Sequence, residues 1–167
     1  MADSSLKTLF ASAPRRAIKE TFGSNGTGLE VEMLTVPKSE LEDLVRRINR
    51  KVRERNPDGS AEWKSTVDRD KLHRWILEHI LSLEGMTVGK VLGLCNRLVP
   101  AEHAADRDRV ITWDPADEGC RDTVLFMLKD ARIEIDGVTQ SFEDFVWQHV
   151  SKAAEESHAA EVEAKND

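Results

Sequence analysis

The sequence predicts a mainly α fold, a compact helical domain of about five helices with a short N-terminal strand or hairpin. Two observations predict it. Five segments carry apolar residues at three- and four-residue spacing, the period of one helix face, whereas only one segment, around Leu29, Val31 and Met33, shows a convincing alternation of apolar and polar residues. These segments are punctuated by residues that start and stop helices, among them Thr87, Asp114-Pro115, Gly85 and Pro100.

A chain of 167 residues fits one domain. By composition it divides into an N-terminal arm and glycine-rich loop over 1–28, a helical domain over 29–154 and an acidic tail over 155–167. With 40% hydrophobic and 33% charged residues, there is enough apolar content to build a core rather than stay disordered. No run approaches the ~20 apolar residues of a membrane span. The opening Met1-Ala2-Asp3-Ser4-Ser5 lacks the basic and apolar regions of a signal peptide, so the cytoplasm is the expected location. Cys95 and Cys120 form no CxxC pattern and are expected as two buried thiols.

Taken in order, residues 5–22 fit either a short helix or an extended arm, and the glycines over 23–28 supply a loop. Leu29, Val31, Met33 and Val36 then alternate with Glu30, Glu32 and Thr35, giving one short strand. Ser39 followed by Glu42 is a capping-box signal. It opens a helix over 39–55 with Leu41, Leu44, Val45, Ile48 and Val52 as its stripe, broken by the linker Asn56-Pro57-Asp58-Gly59-Ser60. A second helix is expected from about residue 68 to 83, burying Leu72, Trp75, Ile76, His79, Ile80 and Leu83. Thr87 caps a third, whose inner face is Val88, Val91, Leu92, Cys95, Leu98 and Val99. Residues 101–109 are polar and read as a loop or a solvated turn of helix. Trp113-Asp114-Pro115 opens a fourth helix with Cys120, Val124, Met127, Leu128 and Ala131 inward. Over 133–139 a hairpin around Asp136-Gly137 competes with an extended link, and the link is favoured because the strands would be so short. The last helix begins near Ser141 with Phe142, Phe145, Val146, His149, Val150 and Ala153 inward, and frays beyond Glu155.

No catalytic, cofactor or metal site is expected. His73, His79, His103, His149 and His158 make no HExxH pattern, no GxSxG elbow is present, and the glycine loop lacks the Lys-Ser/Thr of a phosphate loop. Asp114, Asp117, Glu118 and Asp122 do not follow the ligand order of a calcium loop and read as acids favoured at a helix start. Charge is the more informative feature. The net charge is −7, yet residues 46–74 hold ten basic residues against five acidic ones, a local +5. Arg46, Arg47, Arg50 and Lys51, expected on one basic helix face, are the candidate binding residues, weighed against a merely solvated face. The overall charge and the lack of an interleaved aromatic speak against nucleic acid as the partner. Trp147, off the stripe of Phe142, Phe145, Val146 and Val150, is the candidate anchor for a protein partner.

Three stretches carry a resemblance: Glu30-Val31-Glu32-Met33-Leu34-Thr35-Val36-Pro37-Lys38-Ser39-Glu40-Leu41, Leu83-Glu84-Gly85-Met86-Thr87, and Phe142-Glu143-Asp144-Phe145-Val146-Trp147. Their order, a strand into a basic helix, a Trp/Leu helix ending at glycine and a late acidic-aromatic segment, resembles small tail-module proteins of long-tailed bacteriophages, notably the tail assembly chaperones. The chain departs from that pattern where Gly85 follows Glu84, with Trp75 a full helix away. The resemblance implies a helical, non-enzymatic protein of the host cytoplasm that binds other viral structural proteins, with self-association left open. The competing expectation is a small virus-encoded regulator that grips a host protein or nucleic acid through the basic helix.

Overall fold

The alternation at Leu29, Val31 and Met33 is a strand for the reason the sequence suggests: those three side chains are fully buried on one face while Glu30 and Glu32 lie on the other. The computed structural model describes residues 16–24 and 28–166 of the chain. Strand β2 (Leu29–Leu34) is the middle of an antiparallel sheet, flanked by β1 (Ala17–Phe22) and β5 (Ile80–Glu84). Ala17 pairs with Leu34 and Phe22 with Leu29, while the pairing to β5 shifts register between Glu32 and Met33. On the polar face Lys19 meets Glu30 at 2.7 Å and Glu84 at 3.4 Å, and Ser82 donates to Glu32 at 3.1 Å.

Five α-helices accompany the strands among the described residues: α1 (Lys38–Ile48), α2 (Arg69–His79), α3 (Val88–Leu94), α4 (Glu118–Asp130) and α5 (Phe142–Asn166). The N-terminal part of α5 closes the apolar face of the sheet. Phe22 of β1 meets the Phe142 ring edge-on at 5.0 Å and the Phe145 ring at 5.2 Å. Helices α1, α2 and α4 complete the core with Leu41, Leu44, Ile48, Trp75, Ile76, Val124, Met127 and Leu128. Burying such side chains is worth about 1.5–3 kcal/mol each, so this layer dominates stability.

The mainly α expectation is therefore corrected. Three small antiparallel sheets share the chain with the helices, a mixed α/β architecture. Each added strand was hidden for a physical reason. The helix expected over 39–55 ends at Ile48, and its continuation is β3 (Asn49–Arg55), paired along its length with β4 (Ala61–Val67). All fourteen residues of this hairpin are exposed, so no buried alternation marks it. The expected linker is its tip, held by Asn56 N donating to Ser60 O at 2.9 Å, with Gly59 at φ 84°. The helix expected to run to Leu83 ends at His79, because Ile80 and Leu83 satisfy both the helical stripe and the inward face of β5. The favoured link over 133–139 is instead a hairpin of β6 (Arg132–Ile135) and β7 (Val138–Ser141). Asp136 and Gly137, at φ 52° and 78°, supply the two left-handed residues that a tight hairpin turn needs.

Smaller differences follow the same logic. Helix α1 begins at Lys38 after Pro37 with no side-chain cap, so Ser39 and Glu42 form no capping box. Thr87 does cap α3, its hydroxyl accepting from Lys90 N at 3.2 Å. That helix stops at Leu94, with Asn96 at φ 54°, which leaves Leu98 91% exposed rather than inward. Helix α4 is capped by Asp117, which accepts from Cys120 N at 2.7 Å, while Asp114 turns the preceding chain through Ala116 N at 2.8 Å. Residues 101–106 form a 3-10 turn. Residues 17–22 of the expected arm form β1, and α5 stays helical through the expected acidic tail to Asn166, with Ala154 rather than Ala153 buried. The N-terminal part of that arm, and the tip of the glycine loop, lie outside the described residues.

Candidate functional site

The β3–β4 hairpin is an arm. Its base is closed where Asp68 N donates to Ile48 O at 2.7 Å, and from there seven residue pairs run outward, about 20 Å at the usual strand rise. In an antiparallel ladder the residues opposite each other share a face, and each strand alternates faces. One face therefore carries Asn49, Lys51, Arg53 and Arg55 from β3 with Ala61, Trp63, Ser65 and Val67 from β4. The other carries Arg50, Val52 and Glu54 with Glu62, Lys64 and Thr66.

The two faces differ sharply in charge. On the second, Lys64 bridges Glu54 at 2.6 Å and Glu62 at 3.3 Å, and Arg50 is held by Asp68, so its charges are compensated. The first has no acid at all. Lys51, Arg53 and Arg55 make no ion pair among the described residues, and Trp63, 68% exposed, stands directly across from Arg53. The interactions of Lys64 also hold its ammonium pKa above the ordinary value, through hydrogen bonds to Glu54 and then Glu62.

The five sequence-derived candidates do not form one site. Arg46 lies on α1 and pairs with Asp43 at 3.2 Å, and Arg47 donates to the Asp43 carbonyl at 3.4 Å. Arg50 and Lys51 fall on β3 and point to opposite faces, Arg50 into the Asp68 contact and Lys51 onto the open cationic face. The basic helix on which the four were placed together ends at Ile48. Trp147 packs against the core, its ring edge-to-face with Trp75 at 6.4 Å. The sequence did not place Trp63 with Arg53 and Arg55, and the expectation that no aromatic is interleaved with the basic residues is corrected here, since Trp63 stands across from Arg53. The alternation of basic residues over 51–55, answered by a Trp after an Asp-Gly turn, was the available signal.

Three of the five histidines, His73, His79 and His149, are engaged in packing and polar contacts. His73 is buried beside Glu143, its Nε2 in a short contact with the carboxylate. His79 stacks on Trp75 at 4.0 Å and donates Nδ1–H to the Trp75 carbonyl at 2.8 Å. His149 packs against Phe145 at 4.6 Å and faces Glu20 at 3.6 Å. Cys95 is buried, which pushes its thiol pKa up to about 11, with Asp130 adding to the rise. Cys120 is half-buried, its thiol against the Thr112 carbonyl at 3.2 Å. Neither His/Cys/Asp/Glu grouping of metal-binding form nor a helix long and apolar enough to cross a membrane occurs among the described residues.

No known protein family, curated protein or solved structure matches the chain.

Proposed function

We propose that the chain is a non-enzymatic protein-binding factor whose docking element is the β3–β4 arm. On the resemblance of its sequence, it acts as a phage or prophage tail assembly chaperone or minor tail-module protein. The observation that carries the first part is the exposure of every residue in both strands, including Trp63 at 68% and Val52 at 47%. A two-stranded ribbon that buries nothing is marginal by itself in water. A protein that keeps one gains nothing for its core from it, while an exposed Trp flanked by Arg is the residue chemistry enriched where partners bind most tightly.

The test is co-expression with a tail structural protein that is insoluble alone. The wild type keeps that protein soluble and co-purifies with it, and a variant with Trp63→Ala, Arg53→Ala and Arg55→Ala does not. Equal rescue by both chains would remove the arm from the function.

A further inference from the structure

Two projections of the molecule are unpartnered and oppositely charged. The first is the cationic face of the arm. The second is the C-terminal part of α5, exposed almost throughout from Glu155 to Ala164. At 100° per residue, Ala154, Ser157, His158 and Glu161 fall on one side of this helix, and these residues line a cleft shared with Pro37 and Lys38 at the start of α1. Glu155, Glu156, Ala159, Ala160 and Glu163 fall on the side turned away. Among these acids Glu156 meets Lys152 at 3.9 Å, a surface contact of little energy.

We infer that the cationic face of the β3–β4 arm binds the acidic outer face of the α5 C-terminal part in a second copy of this chain. The two faces match in extent. Lys51 to Arg55 spans about 13 Å at strand rise and Glu155 to Glu163 about 12 Å at helix rise, so the terminal cations Lys51 and Arg55 fall opposite the two ends of the acidic face. Trp63, across from Arg53 at the middle of the cationic face, falls opposite Ala159 and Ala160 at the middle of the acidic one. The same copy does not supply both partners. The arm leaves from the C-terminal end of α1, whereas the acidic helix runs beside the N-terminal end of α1, which separates them by the length of that helix. Because the two patches differ, the contact closes as a two-fold dimer when the arms are exchanged reciprocally and otherwise builds a ring or a filament. Charge favours this occupant over nucleic acid: with +5 in residues 46–74, the rest of the chain carries −12, which attracts the arm of a neighbour and repels a polyanion.

This inference rests on the reading of the arm as a docking element, and sedimentation velocity on the full chain at low and high salt separates the two. Two variants are needed, Lys51→Glu/Arg53→Glu/Arg55→Glu in the arm and Glu155→Lys/Glu156→Lys/Glu163→Lys in the helix. All substituted residues are exposed, and circular dichroism checks that each variant folds. The wild type is expected to associate at low salt and dissociate as salt screens the charges. Each variant alone is expected to lose association at least tenfold, and an equimolar mixture of the two to regain it. A wild type that stays monomeric at low salt, or a mixture that does not recover, overturns the inference. So does salt-sensitive binding of a labelled DNA or RNA oligonucleotide by the arm without self-association. If the monomeric chain still holds a tail structural protein through the arm, only the second-copy assignment falls. If the arm variant alters neither association nor that capture, the docking reading falls too.

Discussion

Trp147 meets Trp75 edge-to-face at 6.4 Å, which ties the start of α5 to α2. Aromatic pairs in this arrangement contribute about 0.5–1.5 kcal/mol beyond the area they bury. Trp147→Ala should therefore cost on the order of 1–3 kcal/mol, less than truncation of a fully buried Trp. Trp63→Ala should stay within about 0.5 kcal/mol, as for an exposed residue with no packing role. Urea denaturation of both variants checks this, and equal losses would mean that the arm is packed on something.

Glu143 and His73 form a buried pair bridging α5 to α2, with Arg69 3.9 Å from the second carboxylate oxygen. The other ring nitrogen of His73 has no hydrogen-bond partner among the described residues. Glu143→Ala leaves the ring with neither nitrogen satisfied, at an expected cost of about 2–3 kcal/mol. Replacing both, Glu143→Leu with His73→Leu, should cost less than Glu143→Ala alone, because no orphaned polar group remains. A double-variant loss larger than the single one would show that the pair itself stabilises the fold.

Cys95 and Cys120 should differ in reactivity. Burial raises the Cys95 thiol to about 11, so at pH 8 it carries almost no thiolate and is shielded as well. Mass spectrometry after brief iodoacetamide treatment should find Cys120 labelled first and Cys95 only after denaturation. Since the folded pKa lies above the ordinary 9.0, the folded state holds the proton longer than the unfolded chain. The linked stability is complete below about pH 9 and is lost as pH rises toward 11. Cys95→Ala should flatten the fall in melting temperature over that window, and an unchanged slope would assign the fall to other groups.

The part of the fold legible in the sequence is the part that is buried on one side. Leu29, Val31 and Met33, the inner residues of α5 and the Thr87 cap could be read because burial imposes a period and capping a residue type. The strands of the arm could not be read that way, since a ribbon exposed on both faces imposes no apolar alternation. Val52, at a helical distance from Ile48, drew the pattern the wrong way. The candidate site was lost with them. Arg46, Arg47, Arg50 and Lys51 share a face only if the chain stays helical past Ile48, and once it becomes a strand, Lys51 joins Arg53, Arg55 and Trp63 instead.

The most direct test of the central claim, that the β3–β4 arm serves binding and not folding, is to remove it. Asp68 N reaches Ile48 O at 2.7 Å, which makes Arg50 and Thr66 the next hydrogen-bonded pair of the ladder, so these two can be joined by a two-residue Asn-Gly turn in place of residues 51–65. The measurement is the thermal unfolding of this truncated chain together with its co-purification with a tail structural protein. The account predicts cooperative unfolding within a few degrees of the wild type and loss of the complex. A truncated chain that no longer unfolds cooperatively, or one that keeps the complex intact, would contradict it.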